Sequence, residues 1–370
     1  MKLLPALATV FIAVAAQAAP ENVITLNIEP DKEHPRNSEG SFVTLKSGRL
    51  LFCYSQFYGG AADESAARIA AIHSDDAGRT WSAPQTVLEN SGGNNLMSVS
   101  LLRLRSGRIA MFYLVKNNWI DCRPYVRVST DEAQTWSEPR LMVEAPGYFV
   151  MNNDRVAQLG SGRLVAPVSF HRARASDPNS SRSFDGRGLV LWYLSDDEGA
   201  TWREAATWWA APQACSTGLQ EPGVVELADG KLFSWSRTSL GAQYGFRSAD
   251  AGKVWSAPEP TEMKSPASPA SIKRLPGSAE LLGIFNDHSG RFEFPKGKRT
   301  PLVAAVSSDG GKTWPMRKAL ENDPDGWYCY TAIHFVDDAV LLAYCAGDKK
   351  TGGLNRLRIR RLTLDWLRNP

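Results

Sequence analysis

Apolar and polar residues alternate in short blocks along the chain, and a tight turn divides each block in two. Four of these turns place Gly before a basic residue: Lys46-Ser47-Gly48-Arg49, Arg105-Ser106-Gly107-Arg108, Gly160-Ser161-Gly162-Arg163 and Ala228-Asp229-Gly230-Lys231. A degenerate fifth turn occupies 276–279, and a sixth block runs over 332–344 around Asp337-Asp338. Alternation with a period of two residues between regularly spaced turns predicts antiparallel strands and an all-β fold.

Five blocks lead into a near-copy of one motif, Ser-x-Asp-x-Gly-x-Thr-Trp. The copies begin at Ser74, Ser129, Ser195, Ser248 and Ser307, and successive Trp residues are 53 to 66 residues apart. Asp and Ser accept hydrogen bonds from nearby amides, Gly adopts a left-handed conformation easily, and Trp is a large apolar anchor. We therefore interpret the motif as a structural hairpin turn. It is the Asp-box, and it resembles the motif of the sialidase superfamily.

A recurrence at this period indicates repeated supersecondary units. Each unit reads as strand, tight turn, strand, longer loop, strand, Asp-box and strand, which is a four-stranded antiparallel blade. Six units predict a six-bladed β-propeller, with 23–28 supplying a strand to the last blade. We expect residues 19–370 to form this single domain.

The order of strands predicts where a functional site lies. The start of strand one, the end of strand two and the start of strand three share one face, and the Asp-box turn lies on the other. Candidate polar residues on the first face are Arg36, Asp63, Glu64, Asp154, Arg155, Glu221, Arg237, Asn286, Asp287, Arg299, Tyr328 and Tyr330. Three clustered Arg residues repel one another unless an anion is present, so the set favours a carboxylate ligand.

The order of motifs resembles that of family 33 exo-sialidases. Glu221-Pro222-Gly223 with Ser236-Arg237 is similar to the family segment that carries a Glu and the second Arg of a triad. Arg299-Thr300-Pro301-Leu302 is similar to the third-Arg segment, and Tyr330-Thr331-Ala332-Ile333 to the nucleophile strand. At the first Arg the family usually has Arg-Ile-Pro, whereas this chain has Arg36-Asn37-Ser38-Glu39. This departure leaves the acidic sugar and the role of Glu39 open.

The resemblance implies a retaining hydrolase that releases terminal sialic acid. Tyr330 would be the nucleophile, with Tyr328 as its rival, Glu221 its base and Asp63 the acid/base. Arg36, Arg237 and Arg299 would bind the carboxylate, and further substrate contacts are expected from Glu39, Asp154, Arg155 and Asp287. Trp119 is a candidate for lining an acyl-group pocket, although ordinary packing is the favoured role. Neither a metal nor an organic cofactor is implied.

Two alternatives stay open: a hydrolase or lyase on another acidic sugar, and a carbohydrate-binding propeller without catalysis. The partners expected are sialylated or other acidic glycans. The formal net charge of +3 and the lack of a basic run disfavour nucleic acid.

Residues 1–18 have the pattern of a cleaved secretory signal, with Lys2, an apolar stretch and Ala16-Gln17-Ala18. No later segment is long and apolar enough for membrane insertion, so we expect a periplasmic or secreted protein. Five Cys residues without metal-like spacing argue against a disulfide framework or a zinc site. Whether Cys329 pairs with Cys345 is left open.

Overall fold

The structure is a computed structural model that describes residues 21–368. The predicted signal segment at 1–18 lies outside the described residues. The described part is nearly all β, as predicted, with one 3-10 turn (Ser181–Ser183) and one α-helix, α1 (Leu364–Arg368). None of its helices has the length and apolar character needed to cross a membrane.

Residues 21–368 contain twenty-six strands, which follow the predicted turn blocks. Before and within units one and two these are β1 (Asn22–Ile28), β2 (Arg36–Thr44), β3 (Leu50–Phe57), β4 (Ala67–Ser74), β5 (Gln85–Leu88), β6 (Asn95–Arg103), β7 (Ile109–Lys116), β8 (Cys122–Ser129) and β9 (Arg140–Leu141). Unit three contains β10 (Tyr148–Val150), β11 (Ala157–Gln158), β12 (Leu164–Ala173), β13 (Phe184–Ser195), β14 (Arg203–Glu204) and β15 (Trp209–Ala210).

The last three units are more regular. They contain β16 (Gln220–Glu226), β17 (Leu232–Arg237), β18 (Ala242–Ser248), β19 (Glu259–Lys264), β20 (Ser271–Arg274), β21 (Leu281–Asn286), β22 (Leu302–Ser307), β23 (Met316–Glu321), β24 (Trp327–Val336), β25 (Ala339–Gly347) and β26 (Leu357–Thr363).

The strands pair within units in the predicted order. Units four and five are separate four-stranded antiparallel sheets, and unit six is completed by β1, which pairs with β26 as predicted. Units one to three form one 14-stranded sheet, because a single parallel pairing joins β4 to β6 and another joins β8 to β10. The arrangement of the six units around one axis stays a prediction.

The Asp-box turns have the predicted local structure. In the first copy, Asp76 accepts hydrogen bonds from the Thr80 amide at 2.8 Å and from its hydroxyl at 2.6 Å. The Gly78 amide donates to Ser74 Oγ at 2.9 Å. The Asp carboxylate thus satisfies backbone donors in a turn too tight to pair them with one another.

The Trp residues of the boxes link neighbouring units. Trp255, from the box of unit four, stacks on Trp192 of unit three with ring centroids 4.3 Å apart. Trp202, from the box of unit three, meets Phe112 of unit two edge-on at 6.1 Å. The apolar core therefore runs between the units, and the box Trp is part of it.

All five cysteines are buried free thiols in this structure. Cys329 and Cys345 face each other across β24 and β25, as the sequence allowed.

We predict that Trp255→Ala lowers the free energy of unfolding by about 3–5 kcal/mol, because it removes a buried ring from the contact between two units. The measurement is denaturant unfolding followed by fluorescence. Trp208→Ala is the matched control, since Trp208 is 56% exposed while Trp255 is 1% exposed. Equal losses for the two variants would contradict the anchoring role.

Candidate functional site

One backbone irregularity recurs at the start of the first strand in four units. Each of the strands β2, β6, β16 and β24 has one extra residue relative to the strand with which it pairs, which is a β-bulge. Within these bulges a non-glycine residue has positive φ: Glu39 (53°), Ser98 (60°), Glu221 (50°) and Tyr330 (58°). A bulge re-aims a side chain, and a left-handed backbone at a non-glycine residue is strained. All four side chains line one cavity.

This cavity has a volume of about 290 Å³. Its walls come from the starts of first strands and the ends of second strands, where Lys116 ends β7 and Arg237 ends β17. Its lining includes no residue of an Asp-box turn. The cavity therefore lies where the strand order predicted a functional site.

Tyr330 and Glu221 form the central pair of the cavity. The Tyr330 hydroxyl donates a hydrogen bond of 2.8 Å to Glu221 Oε1. Arg237 Nη1 lies 2.7 Å from Glu221 Oε2, and Gln220 Oε1 accepts a bond of 2.9 Å from Arg237 Nε. Burial and the nearby Glu221 carboxylate raise the pKa of Tyr330 well above its usual value, against the opposing effect of Arg299 and Arg237. The phenol is thus neutral and faces a proton acceptor.

Arg299 brings a second guanidinium to the cavity. Its Nη2 donates to the Ala267 carbonyl at 3.2 Å, while Nη1 is buried without a hydrogen-bond partner. The guanidinium lies 5.2 Å from the ring centre of Trp327 and 5.5 Å from that of Tyr330. A buried donor without a partner is costly, so this guanidinium is suited to binding an acceptor.

Arg36 lies behind the cavity wall and does not line the cavity itself. Its Nη1 is 2.5 Å from Asp63 Oδ1, and its Nη2 is 3.3 Å from Glu39 Oε1. Ser98 Oγ donates to the other Glu39 oxygen at 2.7 Å. The structure therefore brings Arg36, Glu39 and Asp63 together, but the two carboxylates occupy the guanidinium.

The two carboxylates beside Arg36 differ in their electrostatics. Burial raises the pKa of Glu39, although Arg36 and the Ser98 hydroxyl oppose this. Burial also tends to raise the pKa of Asp63, but the Arg36 guanidinium more than offsets it and the pKa is lowered. The side chain of Asp63 is 59% exposed, so it faces the opening of the cavity.

Much of the remaining lining is aromatic. Tyr148 and Phe184 pack with ring centroids 4.7 Å apart, Trp119 lies 6.1 Å from Phe184, and His171 stacks on Phe184 at 4.8 Å. Burial lowers the pKa of His171 to about 4, so this ring is neutral at pH 7. Trp119 thus lies in the wall of the cavity, although the sequence favours an ordinary packing role for it.

Asp154 and Arg155 have other partners and do not line the cavity. Asp154 accepts hydrogen bonds from Ser41 Oγ at 3.0 Å and from the Ile333 amide at 2.9 Å, and pairs with Lys273 Nζ at 2.8 Å. Arg155 is buried with its guanidinium 5.9 Å from the Trp235 ring centre, and burial lowers its pKa. These two residues connect the first strands of different units.

Asp287 and Tyr328 also lie outside the lining. Asp287 is buried in an ion pair with Arg317, whose Nη1 is 3.0 Å from each carboxylate oxygen. Tyr328 packs in the apolar core against Tyr344, with ring centroids 6.4 Å apart. Of the two rival tyrosines, Tyr330 alone lines the cavity. Within residues 21–368 no group of three or more His, Cys, Asp and Glu side chains is arranged to hold a metal ion.

Comparisons with known proteins identify the family to which this chain belongs. The profile of the BNR repeat-like domain family matches residues 48–342. The chain belongs to this family. It is 27% identical to a sialidase from Micromonospora viridifaciens over 80% of this chain and 46% of that protein. The chain thus spans about half the length of this curated relative.

Two solved structures have a similar fold. A protein of unknown function from Dyadobacter fermentans has a TM-score of 0.73 and 18% identity, covering 93% of this chain and 99% of that one. The Hadza microbial sialidase Hz136 has a TM-score of 0.71 and 19% identity, covering 90% of this chain and 67% of that one. The resemblance to the sialidase superfamily is confirmed, and this BNR repeat-like chain is a divergent bacterial member.

Sequence reasoning missed seven polar or aromatic lining residues of this BNR repeat-like chain: Ser98, Lys116, Tyr148, Asn152, His171, Phe184 and Gln220. A signal for Ser98 was available. Glu39, Ser98 and Glu221 each stand nine residues before the turn glycine of their unit, Gly48, Gly107 and Gly230. The spacing of the repeat thus marks the bulge position. Lys116, His171 and Phe184 carry no comparable pattern.

We predict that Ser98→Ala destabilises the fold by about 1–3 kcal/mol, because it leaves a buried oxygen of Glu39 without its donor. Ser98→Gly loses the same hydrogen bond but tolerates positive φ, so it should be the more stable variant by about 1 kcal/mol. Thermal and denaturant unfolding of both variants measure this difference. A Gly variant less stable than the Ala variant would show that the bulge is not strained.

Proposed function

We propose that this chain is an exo-acting, retaining glycoside hydrolase that releases terminal sialic acid from glycoconjugates. The observation that carries the proposal is the 2.8 Å hydrogen bond between Tyr330 and Glu221 in a cavity also lined by Arg237 and Arg299. The similarity to a Micromonospora sialidase over most of the chain supports it. A binding protein has no need of a phenol paired with a base beside a separate acid.

The substrate class follows from the guanidinium groups. Arg237 and Arg299 present positive charge to the cavity, and Arg299 Nη1 lacks a hydrogen-bond partner. Guanidinium groups bind carboxylates in a fixed, often bidentate geometry. A sialoside carries its carboxylate on the anomeric carbon, so binding it here would bring the reacting carbon close to Tyr330.

A tyrosine is suited to this substrate because a carboxylate nucleophile would be repelled by the substrate's own carboxylate, and sialidases depart from the two-carboxylate scheme. Tyr330 Oη attacks the anomeric carbon while Glu221 accepts the phenolic proton. The glycosidic oxygen leaves with a proton from Asp63. Water activated by Asp63 then attacks the same carbon, and Tyr330 recovers its proton from Glu221. Side chains and water supply every proton, so the proposed reaction needs no metal or organic cofactor.

The ion pair between Arg36 and Asp63 fits this scheme as a resting state. While Arg36 holds it, the lowered pKa of Asp63 keeps this carboxylate ionised, so it has no proton to donate to a leaving group. A substrate carboxylate that binds Arg36 would compete with Asp63 and release it. Arg36 then completes the triad with Arg237 and Arg299, and Asp63 regains a pKa suited to protonating the leaving oxygen.

We further propose that residues 19–370 form one six-bladed propeller and that the protein is exported after removal of 1–18. Contacts between the first strands of neighbouring units support ring closure. Strand β2 contacts β6, and Val99 of β6 accepts a hydrogen bond from the Asp154 amide just before β11. Strand β11 contacts β16, β16 contacts β20, β20 contacts β24, and β24 contacts β2. This sequence of contacts ends where it began, as a closed ring requires.

The direct test is incubation of the purified chain with a fluorogenic α-sialoside, beside matched uronic-acid and keto-deoxy-sugar glycosides. We expect release from the sialoside, with the α-anomer appearing first in NMR spectra of the product. Release only from another acidic sugar would replace the proposed substrate. Tight sugar binding without release would favour a carbohydrate-binding protein.

We predict that Tyr330→Phe lowers kcat by on the order of 10³-fold or more, because the nucleophilic oxygen is lost. The fold should be kept, since the ring still fills its site, and the unfolding temperature measures this. Tyr328→Phe is the matched control and should retain nearly full activity, because Tyr328 lies outside the cavity. If the two variants behaved in the opposite way, Tyr328 would take the nucleophile role.

A further inference from the structure

The aromatic wall of the cavity contains one cation that the proposed mechanism does not use. Lys116 is 2% exposed and lines the cavity among Trp119, Tyr148 and Phe184. It is the last residue of β7, at the face where the other site residues converge.

The ammonium group of Lys116 has few partners. Its Nζ donates one hydrogen bond, of 3.1 Å, to the main-chain oxygen of Asp63. It lies 4.6 Å from the ring centre of Trp119 and 5.7 Å from that of Tyr148. Among residues 21–368 no carboxylate lies within ion-pair distance of it. An ammonium group has three N–H donors, so two are free to bind a ligand.

The ring faces offset part of the cost of burying this charge, but they accept no ordinary hydrogen bond. A ligand that excludes water from this wall without offering acceptors would leave two buried donors unpaired. Sites built to hydrogen-bond a substrate reject analogues that lack the bonding group, because the buried partner is then unsatisfied. An aromatic wall with a free ammonium group thus favours a substituent that has an oxygen at its far end.

We propose that Lys116 determines specificity for the sugar substituent that enters this wall, and that it favours a hydroxyl-ended substituent over a methyl-ended one. The inference rests on the proposed sialoside hydrolysis. On a sialoside, the hydroxyacetamido group presents both a carbonyl and a terminal hydroxyl oxygen, which match the two free donors. The acetamido group presents a carbonyl and a methyl group.

A competing explanation is that Lys116 only anchors the loop that carries Asp63. Its bond goes to the Asp63 carbonyl, but that oxygen also accepts a 2.8 Å bond from Asn95 Nδ2. The loop therefore keeps a donor when Lys116 is replaced. The two explanations differ in what they predict for paired substrates: an anchor changes both rates by the same factor, whereas a specificity residue changes their ratio.

The test compares kcat/KM for two fluorogenic α-sialosides that differ only in an acetamido or hydroxyacetamido group. We expect the chain to favour the hydroxyacetamido substrate by about tenfold, as suits a hydrogen bond to a charged group. In Lys116→Met, which keeps the chain length without the charge, the ratio should fall to one or below. Lys46→Met is the control, because the Lys46 side chain is 71% exposed in a tight turn, and its ratio should match that of the unaltered chain.

A ratio near one in the unaltered chain, or an equal loss for both substrates in Lys116→Met, would overturn the assignment. If the chain releases neither fluorophore, the proposed hydrolysis fails. The Kd values of the two free sugars are then compared in place of the kcat/KM values. A binding preference for the hydroxyacetamido sugar that is lost in Lys116→Met supports the role of Lys116 independently of catalysis. Equal Kd values would reject it.

Discussion

The cavity depends on one backbone constraint: an extra residue near the start of the first strand in four units. A regular strand would send alternate side chains to its two faces. The bulge instead directs Glu39, Ser98, Glu221 and Tyr330 into one space. Each of these residues accepts a left-handed backbone that glycine would adopt more easily. The packing of the blocks on either side holds this strained conformation.

The polar groups of the cavity are organised as two linked clusters. One contains Tyr330, Glu221 and Arg237, and the other contains Arg36, Glu39 and Asp63. In both, burial makes isolated charge unfavourable, so each charge is paired or hydrogen-bonded. These pairs balance charge in the absence of a ligand. A carboxylate ligand would have to replace a protein carboxylate as the partner of an Arg side chain.

The scaffold and the site use the repeat for different purposes. At one end of units one to five the Asp-box pairs its own backbone donors, and its Trp packs between neighbouring units. At the other end the same strands present residues that differ from unit to unit. The repeated end stabilises the fold, and the variable end supplies the residues that line the cavity. This division explains why Asp-boxes indicate an architecture and leave the function open.

The sequence alone determined the strands, the turns, the Asp-boxes and the face of the site, because these follow from local periodicity and strand order. It also indicated the pairing of β1 with the last unit and the candidates Tyr330, Glu221 and Arg237. Only the tertiary structure showed that Tyr330, and not Tyr328, lines the cavity. Both residues lie at the start of β24, and the bulge directs the Tyr330 side chain into the cavity. It also gave Asp154, Arg155 and Asp287 structural partners and brought Lys116 and Phe184 into the wall. Contacts between residues far apart in the chain leave no local pattern in the sequence.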